Sequence, residues 1–154
     1  MGYQRPRMMA AMRGIKAEGG WGVVCTEYCS IEASSDSPYP HASLRDDADI
    51  KNLELMTNAV HQHGALAGVE LWYGGHTNVN LNSRELSLGV TNTSYGLPVE
   101  GQAQCRAMDR RDITEFIDMH RLAARRALRA GFDIVYVYSN HEYLLHKFPH
   151  LPLR

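Results

Sequence analysis

An α/β fold built on parallel strands is predicted by three observations. Short runs rich in Val, Ile, Leu and Ala alternate with longer segments whose apolar residues recur at helical spacing. Each helical segment stops at glycine, at Gly19-Gly20, Gly64 and Gly131, just before an apolar run begins. The runs are apolar at consecutive positions rather than alternating, which is the pattern of strands covered on both faces.

The first helix is expected over Pro6 to Glu18, with Pro6 suited to a first turn and Met8, Met9, Met12 and Ile15 at helical spacing. Its strand is Trp21 to Tyr28. The second helix starts near Asp49, a good N-cap, carries Ile50, Leu53, Met56 and Val60 on one face, and precedes the strand Ala65 to Tyr73. The third follows Asp109, with Ile113, Phe116, Ile117, Ala124, Ala127 and Leu128 as its buried stripe, and leads into Asp133 to Tyr138. Two long connections, Ile31 to Ala48 and His76 to Met108, are rich in Ser, Asn, Pro and Gly and leave the carboxyl ends of strands, where such folds carry function.

The 154 residues fit one domain with a real core, 44% apolar and 21% charged. With 16 basic against 17 acidic side chains, no electrostatic ground exists for a nucleic-acid or anionic-membrane partner. No apolar leader opens the chain and no stretch matches a membrane span, so the expected location is cytoplasmic. Cys25, Cys29 and Cys105 match neither a disulfide framework nor a zinc site and read as reduced thiols; no metal site is expected. Cys25 and Cys29 are expected on one strand face. No glycine-rich nucleotide fingerprint is present, and the arginines of the third helix read as a solvated face.

The strand ends are unusual. Gly64-Ala65-Leu66-Ala67-Gly68-Val69-Glu70-Leu71-Trp72-Tyr73-Gly74-Gly75-His76 runs from an apolar strand into a carboxylate, two aromatics and a histidine. Thr26-Glu27-Tyr28-Cys29-Ser30 and Ile134-Val135-Tyr136-Val137-Tyr138 end the same way. Three such strands leave open sheet edges, so the chain looks like part of a larger sheet.

Together these blocks resemble the trimethylamine, dimethylamine and histamine dehydrogenases, members of the old yellow enzyme class of flavin barrels. The resemblance covers about Arg13 to Leu145. It implies a partial (β/α)8 TIM barrel, about strands two to four with their helices, as an N-terminal barrel fragment. Residues 1–145 would form a partial FMN-binding domain and 146–154 an irregular tail, whose prolines discourage a further helix. It implies FMN as cofactor, a small alkylamine as substrate, and an electron-transferring flavoprotein as partner; a homo-oligomer is compatible with it. The family's flavin-linking cysteine and its iron-sulfur ligands have no counterpart here, and Cys25 and Cys29 do not match the former.

Residue by residue, the resemblance makes Tyr138 and His141 catalytic, a phenol and imidazole that exchange a proton with the amine. Tyr138 also belongs to the cofactor-binding set. Tyr28 becomes one wall of an aromatic bowl for an alkylammonium ion, since ring faces attract cations that donate no hydrogen bonds. Glu70 stands where flavin reductases of the class carry a glutamine on the flavin's pyrimidine edge, and Trp72 becomes a cofactor-pocket wall. Without the resemblance, Tyr138 packs in the sheet, His141 caps a turn, Tyr28 and Trp72 are core, and Arg45 or Lys51 pairs Glu70. Two other functions stay open: a barrel that reduces enones with a nicotinamide cofactor, and a truncated, non-catalytic fragment or assembly subunit. Alone, the 154-residue chain is expected to be inactive.

Overall fold

The computed structural model describes residues 5–36, 39, 41–97 and 101–148. In chain order it places α1 (Pro6–Glu18), β1 (Val23–Ser30), β2 (Ala42–Ser43), α2 (Ile50–His61) and β3 (Leu66–Trp72). Then come β4 (Ser87–Gly89), β5 (Thr93–Leu97), β6 (Gly101–Ala107), α3 (Arg110–Arg129), β7 (Ile134–Val137) and a single turn, α4 (Leu144–Lys147). The main sheet has the order β2-β1-β3-β7 with every pair parallel, as the three βα units require.

One face of this sheet is covered by helices. Val24, Ala67, Val69 and Leu71 pack in one core with Leu53, Met56 and Val60 of α2 and Phe116, Ala123 and Ala127 of α3. The remaining strand positions, Cys25, Tyr28, Glu70, Trp72, Tyr136 and Tyr138, lie on the other face or at its carboxyl edge. Asp133 ties β7 to β3: its Oδ2 accepts the Ala67 N–H at 2.8 Å and bonds Nε2 of His61 at 2.8 Å.

The helix faces differ from the expected ones. In α1 the buried residues are Ala10, Arg13, Gly14 and Ala17, and Gly14 lets α2 approach to the Cβ of Ala59, while Ile15 is 67% exposed and Met8 and Met12 also face outward. In α3 Phe116, Ala123 and Ala127 are buried, whereas Ile117 and Leu128 are exposed, Leu128 at 73%. Small residues win the inner positions because close helix packing needs them; the large apolar side chains form an outer layer. An apolar cleft of about 300 Å³ beside β1 is lined by Met8, Met9, Met12 and Leu53.

Helix starts follow capping chemistry. The third helix starts after Asp109 as expected: Asp109 accepts the Asp112 N–H and Asp112 accepts that of Asp109, closing a capping box on α3. Asp49 does not cap α2: a 3₁₀ turn, Asp47–Asp49, capped by Asp46, precedes it, and Asp49 instead accepts from Ser43 Oγ and the Arg45 N–H.

The connection read as a long loop holds a second sheet, β4-β6-β5. Its base is fixed by a buried polar network: Asn80 donates to the Ser34 and Glu85 carbonyls and Ser87 Oγ, and Asp36 accepts the Ser83 N–H. Polar composition there reflects internal hydrogen bonding rather than disorder. At the other end, α4 takes in His146 and Lys147, so chain order persists into the expected tail, of which residues 149–154 lie outside the described ones.

Candidate functional site

The site forms where β1, β3 and β7 end, and a bulge in β1 composes it. Cys25 pairs with Gly68, but Tyr28 pairs with Glu70, so three steps along β1 match two along β3. Without the extra residue, Glu27 would take the place of Tyr28 on the helix-free face. The bulge also puts Cys25 and Cys29 on opposite faces, contrary to the expectation that they share one. Thr26 compensates within the ladder: its Oγ1 accepts the Glu70 N–H at 3.1 Å.

In-register neighbours then build one row. Tyr28, Glu70 and Tyr136 lie side by side across the three strands, with Ser30 beside Trp72 one step further on. Tyr138 continues the ladder by donating its N–H to the Leu71 carbonyl at 2.9 Å.

Aromatic rings link along this edge. Tyr28 lies 4.8 Å from Trp72 between ring centroids, Trp72 lies 5.4 Å edge-on from Tyr143, and Tyr143 lies 5.7 Å from Tyr138. His41 stacks on Tyr28 at 5.5 Å and lies 6.5 Å edge-on from Trp72. Trp72 is 3% exposed, its Nε1 without a hydrogen-bond partner among the described residues. Burial lowers the His41 pKa, which keeps that imidazole neutral.

Tyr138 and His141 meet as expected: the phenolic oxygen is hydrogen-bonded to Nδ1 of His141. The turn that makes this contact is strained. His141 and Glu142 both have positive φ, 49° and 63°, a conformation rare for residues with side chains. Asn140 Oδ1 holds the His141 N–H at 2.8 Å, and Lys147 pairs with Glu142 at 3.1 Å. Leu144 presses on Gly75, where a Cβ would meet that of Leu144 at 2.9 Å and where φ is +65°, so only glycine fits under the turn. Burial first, and the Glu70 charge second, raise the Tyr138 pKa.

Glu70 is half-buried, and its partner is neither Arg45 nor Lys51. Tyr136 donates its hydroxyl hydrogen to Glu70 Oε2 at 2.5 Å, while the Arg45 guanidinium bonds Ser43. No cation pairs with Glu70 among the described residues.

The structure therefore brings together all five residues singled out from sequence, Tyr28, Glu70, Trp72, Tyr138 and His141. Sequence reasoning missed Tyr136, Tyr143 and His41. Tyr136 had a readable signal, because it shares the strand face of Tyr138 two residues on; Tyr143 lies two beyond His141 in the same turn. Nothing local marks His41, which reaches Tyr28 through a loop. Among the described residues, no group of three or more His, Cys, Asp or Glu side chains can hold a metal ion, and no helix is long and apolar enough to cross a membrane.

A parallel, one-sidedly covered sheet with its polar and aromatic residues gathered at the strands' carboxyl ends defines the class: part of a (β/α) barrel enzyme. The chain belongs to the NADH:flavin oxidoreductase / NADH oxidase family, whose model matches residues 2–152. It is 40% identical over 149 residues to dimethylamine dehydrogenase of Hyphomicrobium sp. (strain x), covering 92% of this chain and 20% of that one. Histamine dehydrogenase from Rhizobium sp. 4-9 superposes with a TM-score of 0.88 at 37% identity, over 94% of this chain and 22% of that chain. The 6-hydroxypseudooxynicotine amine oxidase from Pseudomonas geniculata N1 gives 0.84 at 43% identity, over 91% and 21%. The chain thus spans about a fifth of the length of each of these relatives.

The residues present fit the flavin this family implies. Glu70 Oε1 accepts nothing among the described residues and matches a ring N–H. Trp72 beside it offers a buried, unmet indole N–H.

Proposed function

We propose that this chain forms one wall of the FMN-binding barrel of an amine dehydrogenase, acting on a small secondary or tertiary alkylamine. The product is an imine, which water hydrolyses to an aldehyde and a smaller amine. The observation that carries the reading is the contact between the ring row and the Tyr138–His141 pair. A surface suited to an alkylammonium ion adjoins a group able to take its proton.

Tyr28 offers the cation its ring face, and Trp72 backs that ring. Tyr138 takes the ammonium proton on its phenolic oxygen while its own hydrogen passes to Nδ1 of His141, which frees the nitrogen lone pair. Glu70 and Trp72 face the cofactor. Bound FMN supplies the acceptor for the hydride equivalent that the neutral amine gives up. In this reading the electrons leave through an electron-transferring flavoprotein in the cytoplasm, and the site's opposite wall comes from further barrel strands.

The test uses the protein expressed from its whole reading frame and loaded with FMN. Anaerobic trimethylamine, dimethylamine and histamine are each compared with an enone plus NADPH. Flavin bleaching by at least one amine is expected. Turnover with the enone and NADPH, without bleaching by any amine, overturns the reading in favour of an ene reductase; absence of flavin uptake favours a non-catalytic fragment.

A further inference from the structure

We infer that Tyr136 is a positioning residue for the flavin: its phenol fixes the orientation of the Glu70 carboxylate and leaves one carboxylate oxygen for the ring's pyrimidine edge. The inference rests on the flavin-barrel reading above and assigns work to a residue that reading does not use.

Three observations carry it. Tyr136 and Glu70 are cross-strand partners in register, so their side chains stand side by side on the helix-free face of two hydrogen-bonded strands. The phenol donates to Oε2 at 2.5 Å, the short distance of a charge-assisted bond, and Oε1 accepts nothing among the described residues. No Lys, Arg or His forms an ion pair with Glu70 among the described residues, and Arg13, the cation felt at neighbouring Cys25, pairs with Glu27, so no cation does the work that Tyr136 does. With one oxygen held by the phenol, the half-buried carboxylate is fixed in orientation and its other oxygen stays open to a donor.

The consequence for a bound flavin has a definite sign. Glu70 accepts the ring N–H, and its negative charge opposes the negative charge that the ring gains on reduction. Tyr136 draws part of that charge away through Oε2. Removing the phenol leaves a looser acceptor carrying a fuller charge; removing the charge takes away what Tyr136 acts upon.

The experiment measures the FMN dissociation constant and the flavin midpoint potential in the full-length holoenzyme with Tyr136→Phe, Glu70→Gln and both together. Tyr136→Phe is expected to weaken FMN binding about tenfold and to lower the potential. Glu70→Gln raises the potential, and adding Tyr136→Phe to Glu70→Gln changes neither quantity further. Equal effects of Tyr136→Phe with and without Glu70 overturn the inference while leaving the flavin reading intact. A wild type that takes up no FMN overturns both. Should Tyr136→Phe fail to fold, ultraviolet titration of Glu70→Gln in a Tyr138→Phe background decides: phenol ionisation at lower pH than in Tyr138→Phe alone supports the pair, and an unchanged titration overturns it.

Discussion

Thr26 Oγ1 accepts the backbone N–H of Glu70 at 3.1 Å, across the bulge that turns Tyr28 onto the helix-free face. One hydroxyl thus repairs the ladder at the point where β1 carries an extra residue. Thr26→Val keeps the shape and removes the acceptor. It is expected to cost about 1 to 3 kcal/mol, the penalty of leaving a buried N–H unmet. Urea unfolding measures the loss, and an unchanged midpoint contradicts the role given to Thr26.

Gly75 supports the Tyr138–His141 turn from below. Gly75→Ala meets Leu144 and forces a side chain into positive φ. The expected cost is roughly 1 to 3 kcal/mol, and the displaced turn draws Tyr143 away from Trp72. A lowered unfolding midpoint together with altered Trp72 fluorescence is the expected result; fluorescence identical to the wild type argues against the coupling.

Asp112 is held well below the usual carboxylate range, chiefly by its paired bonds from Arg106 at 2.5 and 2.6 Å and then by the Asp109 N–H. A depressed carboxylate adds stability that is present above its unfolded pKa of about 3.9 and fades as pH falls toward the folded value. Wild type is therefore more stable than Asp112→Asn near neutrality, and the difference shrinks in acid below about pH 4. Urea midpoints of both proteins across that range check it; a gap that widens on acidification refutes the assignment.

Tyr138→Phe keeps the ring row and removes the hydroxyl proposed as proton acceptor. Amine-driven flavin bleaching is expected to slow by about a hundredfold or more, with amine affinity altered far less. Rapid-mixing kinetics against amine concentration separates the two terms. A defect confined to affinity contradicts the proton-transfer role.

The three βα units and their glycine stops were legible because helix and strand periods are local. The inner faces of α1 and α3 were not, because Met8, Ile15, Ile117 and Leu128 have helical spacing yet lie on an outer layer. Spacing identifies an apolar face; which neighbours cover it is a tertiary matter. The strand ends stood out by their run of aromatic and acidic side chains, but the choice of Tyr28, Glu70, Trp72, Tyr138 and His141 came from the resemblance to the amine dehydrogenases; the three-residue separation of Tyr138 and His141 is what lets a turn join them. The β1 bulge was invisible, since it arises from pairing with β3 rather than from any residue in β1. His41 and Tyr136 share that character: one is placed by a loop and the other by strand register.

In the proposed enzyme the ring row and the flavin share one pocket. Titration of FMN-loaded protein with tetramethylammonium, a cation that cannot be oxidised by loss of a nitrogen lone pair, tests it directly. A saturable perturbation of the flavin spectrum is expected, with affinity falling by about three- to thirtyfold in Tyr28→Ala, the share of one ring's cation attraction. A flavin spectrum indifferent to the cation, or a response equal in wild type and Tyr28→Ala, would contradict it.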